Sequence, residues 1–146
     1  MIKVRRNIKV TLNYSEKQHF TASARHFNDI HIDEPESFHG TDKGPSPVEF
    51  FLIGIGGCLG STFTYCLQKQ NVEIDTLEVV VDGQLKHAGP KMLLRLVNIE
   101  AELLITARDN YSSEKIEQCI KTFREYCIVT NSITQGVPLD VKVSKK

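Results

Sequence analysis

The hydrophobic positions of the chain change their spacing several times, and each spacing predicts a kind of element. In the first fourteen residues the apolar side chains share the even positions: Ile2, Val4, Ile8, Val10, Leu12 and Tyr14. This period of two predicts a half-buried strand. Shorter strands are predicted at residues 20–24 and 28–32, and residues 34–44, which contain two glycines and a proline, predict a loop.

A long helix is predicted after this loop because several start signals agree. Ser46 suits the N-cap, Pro47 the first helical position, and Glu49 the third, where it completes a capping box. From Phe50 to Gln68 there are 19 uncharged residues, which is close to membrane-spanning length. The run holds many small and polar residues, and the flanking amphipathic strands need a core. We therefore expect a helix to about residue 70 that is buried nearly all round inside a soluble protein.

The second half of the chain predicts two strands, a helix and a final strand. Alternation over residues 72–81, with a slip at 75–76 that indicates a bulge, and over 97–105 predicts two strands joined by a turn at 87–90. A helix is predicted from residue 111, broken at 131–136, and residues 137–143 alternate as a closing strand. The helix's apolar face is formed by Ile116, Cys119, Ile120, Phe123 and Cys127. Strands and helices are segregated, so we predict an α+β fold in one domain over residues 1–146.

Composition and charge exclude several functions. The 146 residues include 18 basic and 18 acidic side chains, with a formal charge of zero. A strongly basic nucleic-acid-binding protein and an acidic disordered chain are therefore not expected. The first thirty residues contain charges and no apolar run, so no secretory signal is predicted. We expect a cytoplasmic protein with no nucleic-acid and no membrane partner.

Four cysteines are the main candidates for chemistry. No CxxC or CxxH motif is present, so a zinc finger is not expected, and cytosolic thiols are normally reduced. Cys66 and Cys119 lie on apolar helix faces and are predicted core. Cys58 lies about 16 Å from the start of its own helix, too far for that end to lower its pKa much. Cys127 falls near a predicted helix end. If a new short helix begins there, its free amides would favour a thiolate.

Four glycines in the long helix have two interpretations. Gly54, Gly56, Gly57 and Gly60 each cost about 1 kcal/mol of helix stability relative to alanine. A sequence keeps such residues where another backbone or a ligand comes very close. They predict close helix–helix packing, such as packing across a dimer axis, or room for a substrate beside Cys58, and both interpretations can hold together.

Two stretches of the chain resemble the signature of the OsmC/Ohr family of thiol-dependent organic hydroperoxide reductases. One is residues 44–52, GPSPVEFFL, followed by Gly56-Gly57-Cys58; the other is Cys127-Ile128-Val129, followed by Ser132-Ile133 and Gly136-Val137. The resemblance spans nearly the whole chain. It implies an OsmC-like α+β fold with antiparallel sheets wrapped around a central buried helix. It also implies an intertwined homodimer with sites at the subunit interface.

The same resemblance implies roles for three residues. Cys58 would attack the peroxide, Cys127 would resolve the oxidised sulfur, and Glu49 would be a polar partner that organises the site. The implied substrate is an organic hydroperoxide and the implied reductant a small or protein-bound dithiol, with no cofactor and no metal. Reductases of the family place an arginine nine residues before the position of Pro47. Here that region reads Ser37-Phe38-His39, so His39 or Lys43 would have to replace it.

Other functions remain open at this stage. The absent arginine favours a non-catalytic, dimeric small-molecule-binding protein that keeps the fold. A metal site formed by Cys58, Cys127 and His39 is a weaker alternative, because these residues lack local ligand spacing. The aromatic and aliphatic residues near the helix predict either an apolar substrate pocket or core: Phe50, Phe51, Leu52 and Phe63.

Overall fold

The computed structural model of the protein describes residues 6–108 and 113–146. Its strands are β1 (Val10–Glu16), β2 (His19–Ala24), β3 (Phe27–Ile32), β4 (Ile74–Ala88) and β5 (Leu93–Ala107). Its helices are α1 (Pro47–Lys69), α2 (Ser113–Thr122) and α3 (Ile128–Gln135), with short 3-10 segments at Glu36–Phe38 and Phe123–Tyr126. The α+β class is confirmed. The chain divides into two compact units, residues 1–51 and 52–146, and a single domain over the whole chain stays a prediction.

The first unit contains an antiparallel sheet in the order β1-β2-β3. Leu12 pairs with Ala22, and Ala22 pairs in turn with Ile30. Every residue of β1 is exposed, so the prediction of a half-buried strand is wrong for the single chain: no layer formed by residues 6–51 covers its apolar face. Ile2 and Val4, the first residues of the predicted strand, lie outside the described residues.

The loop before α1 is organised by a buried carboxylate. Asp33 is fully buried and accepts hydrogen bonds from the backbone amides of Glu34, Thr41 and Lys43 and from the Thr41 hydroxyl. Burial raises the pKa of Asp33, but these hydrogen bonds outweigh that effect and hold it well below its usual range. In the same loop a Cβ at Gly40 would collide with the backbone of Glu34, so the chain passes itself where only glycine fits.

Helix α1 begins where the capping signals predict. The Ser46 amide donates to the Glu49 carboxylate at 2.9 Å, and the Glu49 amide donates to the Ser46 hydroxyl at 3.2 Å. The helix is long and apolar enough to cross a membrane by length and composition. One stripe is buried in the core, formed by Ile55, Leu59, Phe63 and Leu67, while the opposite face is exposed. The prediction of burial nearly all round is therefore wrong within one chain.

In the second unit, β4 and β5 form an antiparallel hairpin. The register shifts between Ile74 and Thr76, which confirms the predicted bulge. The turn occupies residues 89–92 rather than 87–90, because His87 and Ala88 still pair with β5.

Two of the four α1 glycines let the helix approach this hairpin. A Cβ at Gly56 would lie 3.0 Å from a Val81 methyl, and one at Gly60 would lie 3.4 Å from a Val79 methyl. Close packing is the correct interpretation for these two, although the neighbour is a strand rather than a helix. Gly54 and Gly57 face open space in the single chain.

The C-terminal helical region breaks earlier than predicted. Helix α2 ends at Thr122, the chain continues as a 3-10 segment to Tyr126, and α3 begins at Ile128, so residues 131–135 are helical and not a break. Tyr111 and Ser112 lie outside the described residues. The predicted final strand is also wrong: residues 137–143 carry the alternation but pair with no strand in the part of the chain described, and they are exposed.

Candidate active site

Cys58 and Cys127 meet in the folded chain although they are 69 positions apart in the sequence. Their Sγ atoms lie 3.2 Å apart, which needs only a small movement to reach a disulfide bond of about 2.05 Å. Both are free thiols; Cys127 is fully buried and Cys58 partly buried. Two sulfurs at this separation can be oxidised to a disulfide and reduced again without rearrangement of the fold.

The first turn of α3 faces both sulfurs. Cys127 is the N-cap of α3, so a new short helix does begin at this cysteine. The Val129 amide donates to the Sγ of Cys58 at 3.5 Å, and the Thr130 amide donates to Cys127. These are among the amides that lack a partner inside the helix, and they stabilise negative charge on sulfur.

The surroundings of Cys127 favour its thiolate. Burial raises the pKa of this thiol, but hydrogen bonds from the Thr130 hydroxyl and amide, together with the side chains of Cys58 and Thr62, outweigh burial and hold the pKa below its ordinary value. The site therefore holds a thiolate more readily than an isolated cysteine does.

Helix α1 presents Cys58 through ordinary helical geometry. The Thr62 hydroxyl donates to the Cys58 carbonyl at 2.6 Å and the Ser61 hydroxyl does so at 3.3 Å. These bonds tie both hydroxyls to the helix backbone, and they leave the Thr62 side chain close to Cys127. The contacts that the structure describes for the Cys58 sulfur are then Cys127 and the Val129 amide.

Three successive contacts join α1 to residues 119–127, and the thiol pair is the last of them. Cys66 forms a disulfide with Cys119, the rings of Phe63 and Phe123 meet edge to face at 5.2 Å, and Cys58 meets Cys127. The expectation of reduced thiols is therefore wrong for Cys66 and Cys119. The predicted core placement is confirmed for Cys119, while Cys66 is partly buried against the core. The apolar face of α1 packs against residues 119–127 and brings the sulfurs of Cys58 and Cys127 into contact.

A cavity of about 340 Å³ lies beside this site within the second unit. Its walls come from α1, β5, the 3-10 segment and α3, and are mainly apolar, with one cation: Ile55, Leu59, Ile99, Ala101, Leu103, Phe123, Arg124, Thr130, Ile133 and Thr134. Thr130 lines the cavity and also donates to Cys127. Of the four residues considered for a pocket, Phe63 is core, and none lines this cavity.

The remaining predicted site residues have structural partners in the first unit. Glu49 closes the capping box with Ser46, whose backbone and side-chain hydrogen bonds lower the pKa of Glu49. Lys43 forms a salt bridge with Glu16 at 2.6 Å, and His39 ends the first 3-10 segment with φ at 71°. A catalytic role for Glu49 stays a prediction. In residues 6–108 and 113–146 no three metal-ligating side chains cluster, so the metal alternative gains no structural support.

Sequence reasoning anticipated free amides after Cys127 but did not name Val129 and Thr130, which supply them, and it missed Arg124. The first two follow from the position of Cys127, because an N-cap is followed by free amides two and three residues later. The predicted helix continues to residue 130, so only the structure shows that α3 begins directly after Cys127. Arg124 has no motif, and only the folded chain brings it to the cavity.

The chain is similar to a known protein family. The family model described as OsmC-like protein matches residues 40–142, more than half of the chain. The chain belongs to this family. Protein YhfA of Escherichia coli K12 is 25% identical to it over 96 residues, which cover 66% of this chain and 69% of YhfA.

Solved structures share the OsmC-like fold. The OsmC like protein from Mycoplasma pneumoniae superposes with a TM-score of 0.74 at 22% identity, covering 92% of this chain and 91% of that one. The organic hydroperoxide resistance protein OhrB of Bacillus subtilis superposes with a TM-score of 0.56 at 20% identity, covering 88% and 92%. At these identities the likeness is one of fold.

Proposed function

We propose that this OsmC-like chain is a thiol-dependent reductase of organic hydroperoxides. The observation that carries the proposal is the contact of two free sulfurs at 3.2 Å beside the first turn of α3. OhrB, which shares the fold, is named an organic hydroperoxide resistance protein. The contact supplies what a two-cysteine peroxide reduction needs: a nucleophile and a second thiol within reach.

The proposed reaction has three steps. The Cys58 thiolate attacks the distal peroxide oxygen, the O–O bond breaks, and the alkoxide leaves with a proton as an alcohol, so Cys58 becomes a sulfenic acid. The Cys127 thiolate then attacks that sulfur, a disulfide forms and the hydroxyl leaves as water. A small or protein-bound dithiol reduces the disulfide by exchange and is itself oxidised. The two electrons that reduce the peroxide thus come from the dithiol.

Burial supports this division of roles between the cysteines. Cys58 is partly exposed and can meet a peroxide, whereas Cys127 is fully buried and cannot do so without movement. The lowered pKa of Cys127 suits a thiol that attacks a neighbouring sulfenic acid. Glu49 remains in the proposal as a polar partner of the site.

The cavity beside the thiols suits the organic part of the substrate. Its walls are mostly apolar, and Thr130 connects it to Cys127. A hydroperoxide with an apolar chain gains from burial there at roughly 25 cal/mol per Å². Hydrogen peroxide has no such group and would gain nothing from the cavity.

We also propose that the protein is an intertwined homodimer. The outward face of α1 is exposed in the single chain and carries Ile53, Gly57, Ser61 and Tyr65. Ile53 and Tyr65 are 56% and 61% exposed, and an exposed apolar stripe beside open glycines supports close packing of a second copy. Sedimentation of the purified protein measures this directly, and a monomer at every concentration would reject the dimer. A cytoplasmic location stays part of the proposal.

A non-catalytic binding protein is the second candidate. One observation favours it: no arginine occurs at residues 37–39, where reductases of the family carry one. In that case the cavity would bind a small apolar molecule and the thiols would stay unchanged.

Anaerobic thiol titration separates the two candidates. After one equivalent of cumene hydroperoxide, a reductase loses both free thiols, whereas Cys58→Ser loses none and Cys127→Ser accumulates a sulfenic acid that dimedone traps. Dihydrolipoamide should then restore the wild-type thiols and sustain peroxide consumption. Unchanged thiols in the wild type, or equal loss in Cys58→Ser, would reject the reductase.

A further inference from the structure

The two cysteines on α1 and the two cysteines on the facing segment have the same spacing along the chain. Cys66 follows Cys58 by eight residues on α1, and Cys127 follows Cys119 by eight residues on the facing segment. The pairs run in opposite order, so Cys66 binds Cys119 at one end and Cys58 meets Cys127 at the other. Between them the rings of Phe63 and Phe123 are in contact.

Among the described residues, helix α2 has few other contacts that fix its position along α1. It has ten residues; Cys119 is buried, and Ile116 is partly buried against the same core cluster. The hydrogen bond described between α2 and the end of α1 is an exposed one, from Lys115 Nζ to the Gln70 carbonyl at 3.3 Å. An edge-to-face pair of phenylalanine rings tolerates sliding far better than a covalent bond does. The disulfide is therefore the strongest constraint on how residues 119–127 sit along α1.

We propose that the Cys66–Cys119 disulfide is a positioning cross-link that holds the Cys127 sulfur in contact with the Cys58 sulfur. It takes no part in the chemical steps and touches neither reacting atom. It acts by preventing α2 and the 3-10 segment from sliding on α1. A displacement of about 1 Å at a reacting pair can cost roughly a hundredfold in rate, so a small slide is enough to matter. The kinetic consequence rests on the proposed function, but the geometric one does not.

The geometric consequence is measured without any peroxide. In glutathione redox buffers, the equilibrium constant for closing the Cys58–Cys127 disulfide reports how well the two sulfurs are held together. For the double variant Cys66→Ala/Cys119→Ala we expect this constant to fall by about 10- to 100-fold. Cys66→Val/Cys119→Val restores buried volume without the bond, and its equilibrium constant should fall by a similar factor. This variant replaces the alanine variant in the test if the alanine variant does not fold.

A control variant that weakens the same core separates positioning from general loosening. Val72 is buried in that core cluster and forms none of the three contacts described above between α1 and residues 119–127, so Val72→Ala destabilises the unit while keeping the cross-link. Its equilibrium constant should stay at the wild-type value. Unchanged constants in both double variants, or an equal fall in Val72→Ala, would overturn the positioning role.

A kinetic arm locates the affected step. With cumene hydroperoxide, the double variants should form the Cys58 sulfenic acid at the wild-type rate and convert it to the disulfide about 10- to 100-fold more slowly, as dimedone trapping against time would show. Equal rates for that conversion would count against the proposal. If the wild type forms no sulfenic acid, the proposed function fails while the glutathione measurement still decides on the cross-link.

Discussion

The Thr130 hydroxyl offers a direct test of how the site stabilises a thiolate. Its hydroxyl and its amide both donate to Cys127. Thr130→Val removes the hydroxyl and keeps the amide and nearly the same shape. The Cys58→Ser background leaves Cys127 as the free thiol, because Cys66 and Cys119 are bonded to each other.

The expected shift follows from the strength of one hydrogen bond. A hydrogen bond to a charged group contributes about 1.5–3 kcal/mol, and one pKa unit corresponds to about 1.36 kcal/mol. Losing the hydroxyl should therefore raise the pKa of Cys127 by about one to two units. The direction is upward because the hydroxyl stabilises the charged form of the thiol.

Ultraviolet absorbance of the thiolate, followed across a pH series, measures this pKa. Thr130→Ser is the matched control, since it keeps the hydroxyl and should titrate like the parent. If Thr130→Val titrates at the parent pKa, or Thr130→Ser shifts by as much, the hydroxyl is not what favours the thiolate and the assignment is wrong.

Three further changes test other parts of the structure. Ile133→Trp fills part of the cavity and should raise KM for cumene hydroperoxide several-fold while leaving turnover of hydrogen peroxide unchanged in steady-state assays. Gly40→Ala places a Cβ against the Glu34 backbone and should cost about 1–3 kcal/mol or more, measured by urea unfolding. Asp33 has a lowered pKa, so its stabilisation is present above its ordinary pKa of about 3.9 and is lost as pH falls below it. Asp33→Asn should melt at a lower temperature than the wild type near neutral pH. Its melting temperature should also decrease less than that of the wild type as the pH is lowered, which thermal melting across a pH series measures.

Local signals in the sequence predict local structure well. The capping box at Ser46 and Glu49 fixes the start of α1 because it involves residues three apart. The slip in alternation near Thr76 likewise identifies a real bulge. Such features depend on neighbours along the chain, which the sequence displays directly.

Features that depend on distant partners are harder to read. The alternation at residues 137–143 is typical of a strand, yet hydrogen-bonding depends on a partner that the pattern does not name. The same limit applies to β1 and the outward face of α1, which are exposed: their patterns predict burial but do not name what would cover them. The bond between Cys66 and Cys119 spans 53 residues, and spacing alone does not indicate it. The meeting of Cys58 and Cys127 follows from family resemblance rather than from periodicity.

The bond between α1 and α2 has a consequence for the integrity of the chain. It closes a covalent ring that contains the whole β4–β5 hairpin, including its turn at residues 89–92. A protease cut in that turn would yield two fragments that remain one molecule until a reductant separates them. The turn is therefore a suitable place to insert a tag or to open new termini, since strand pairing and the sulfur bond both keep the two halves together.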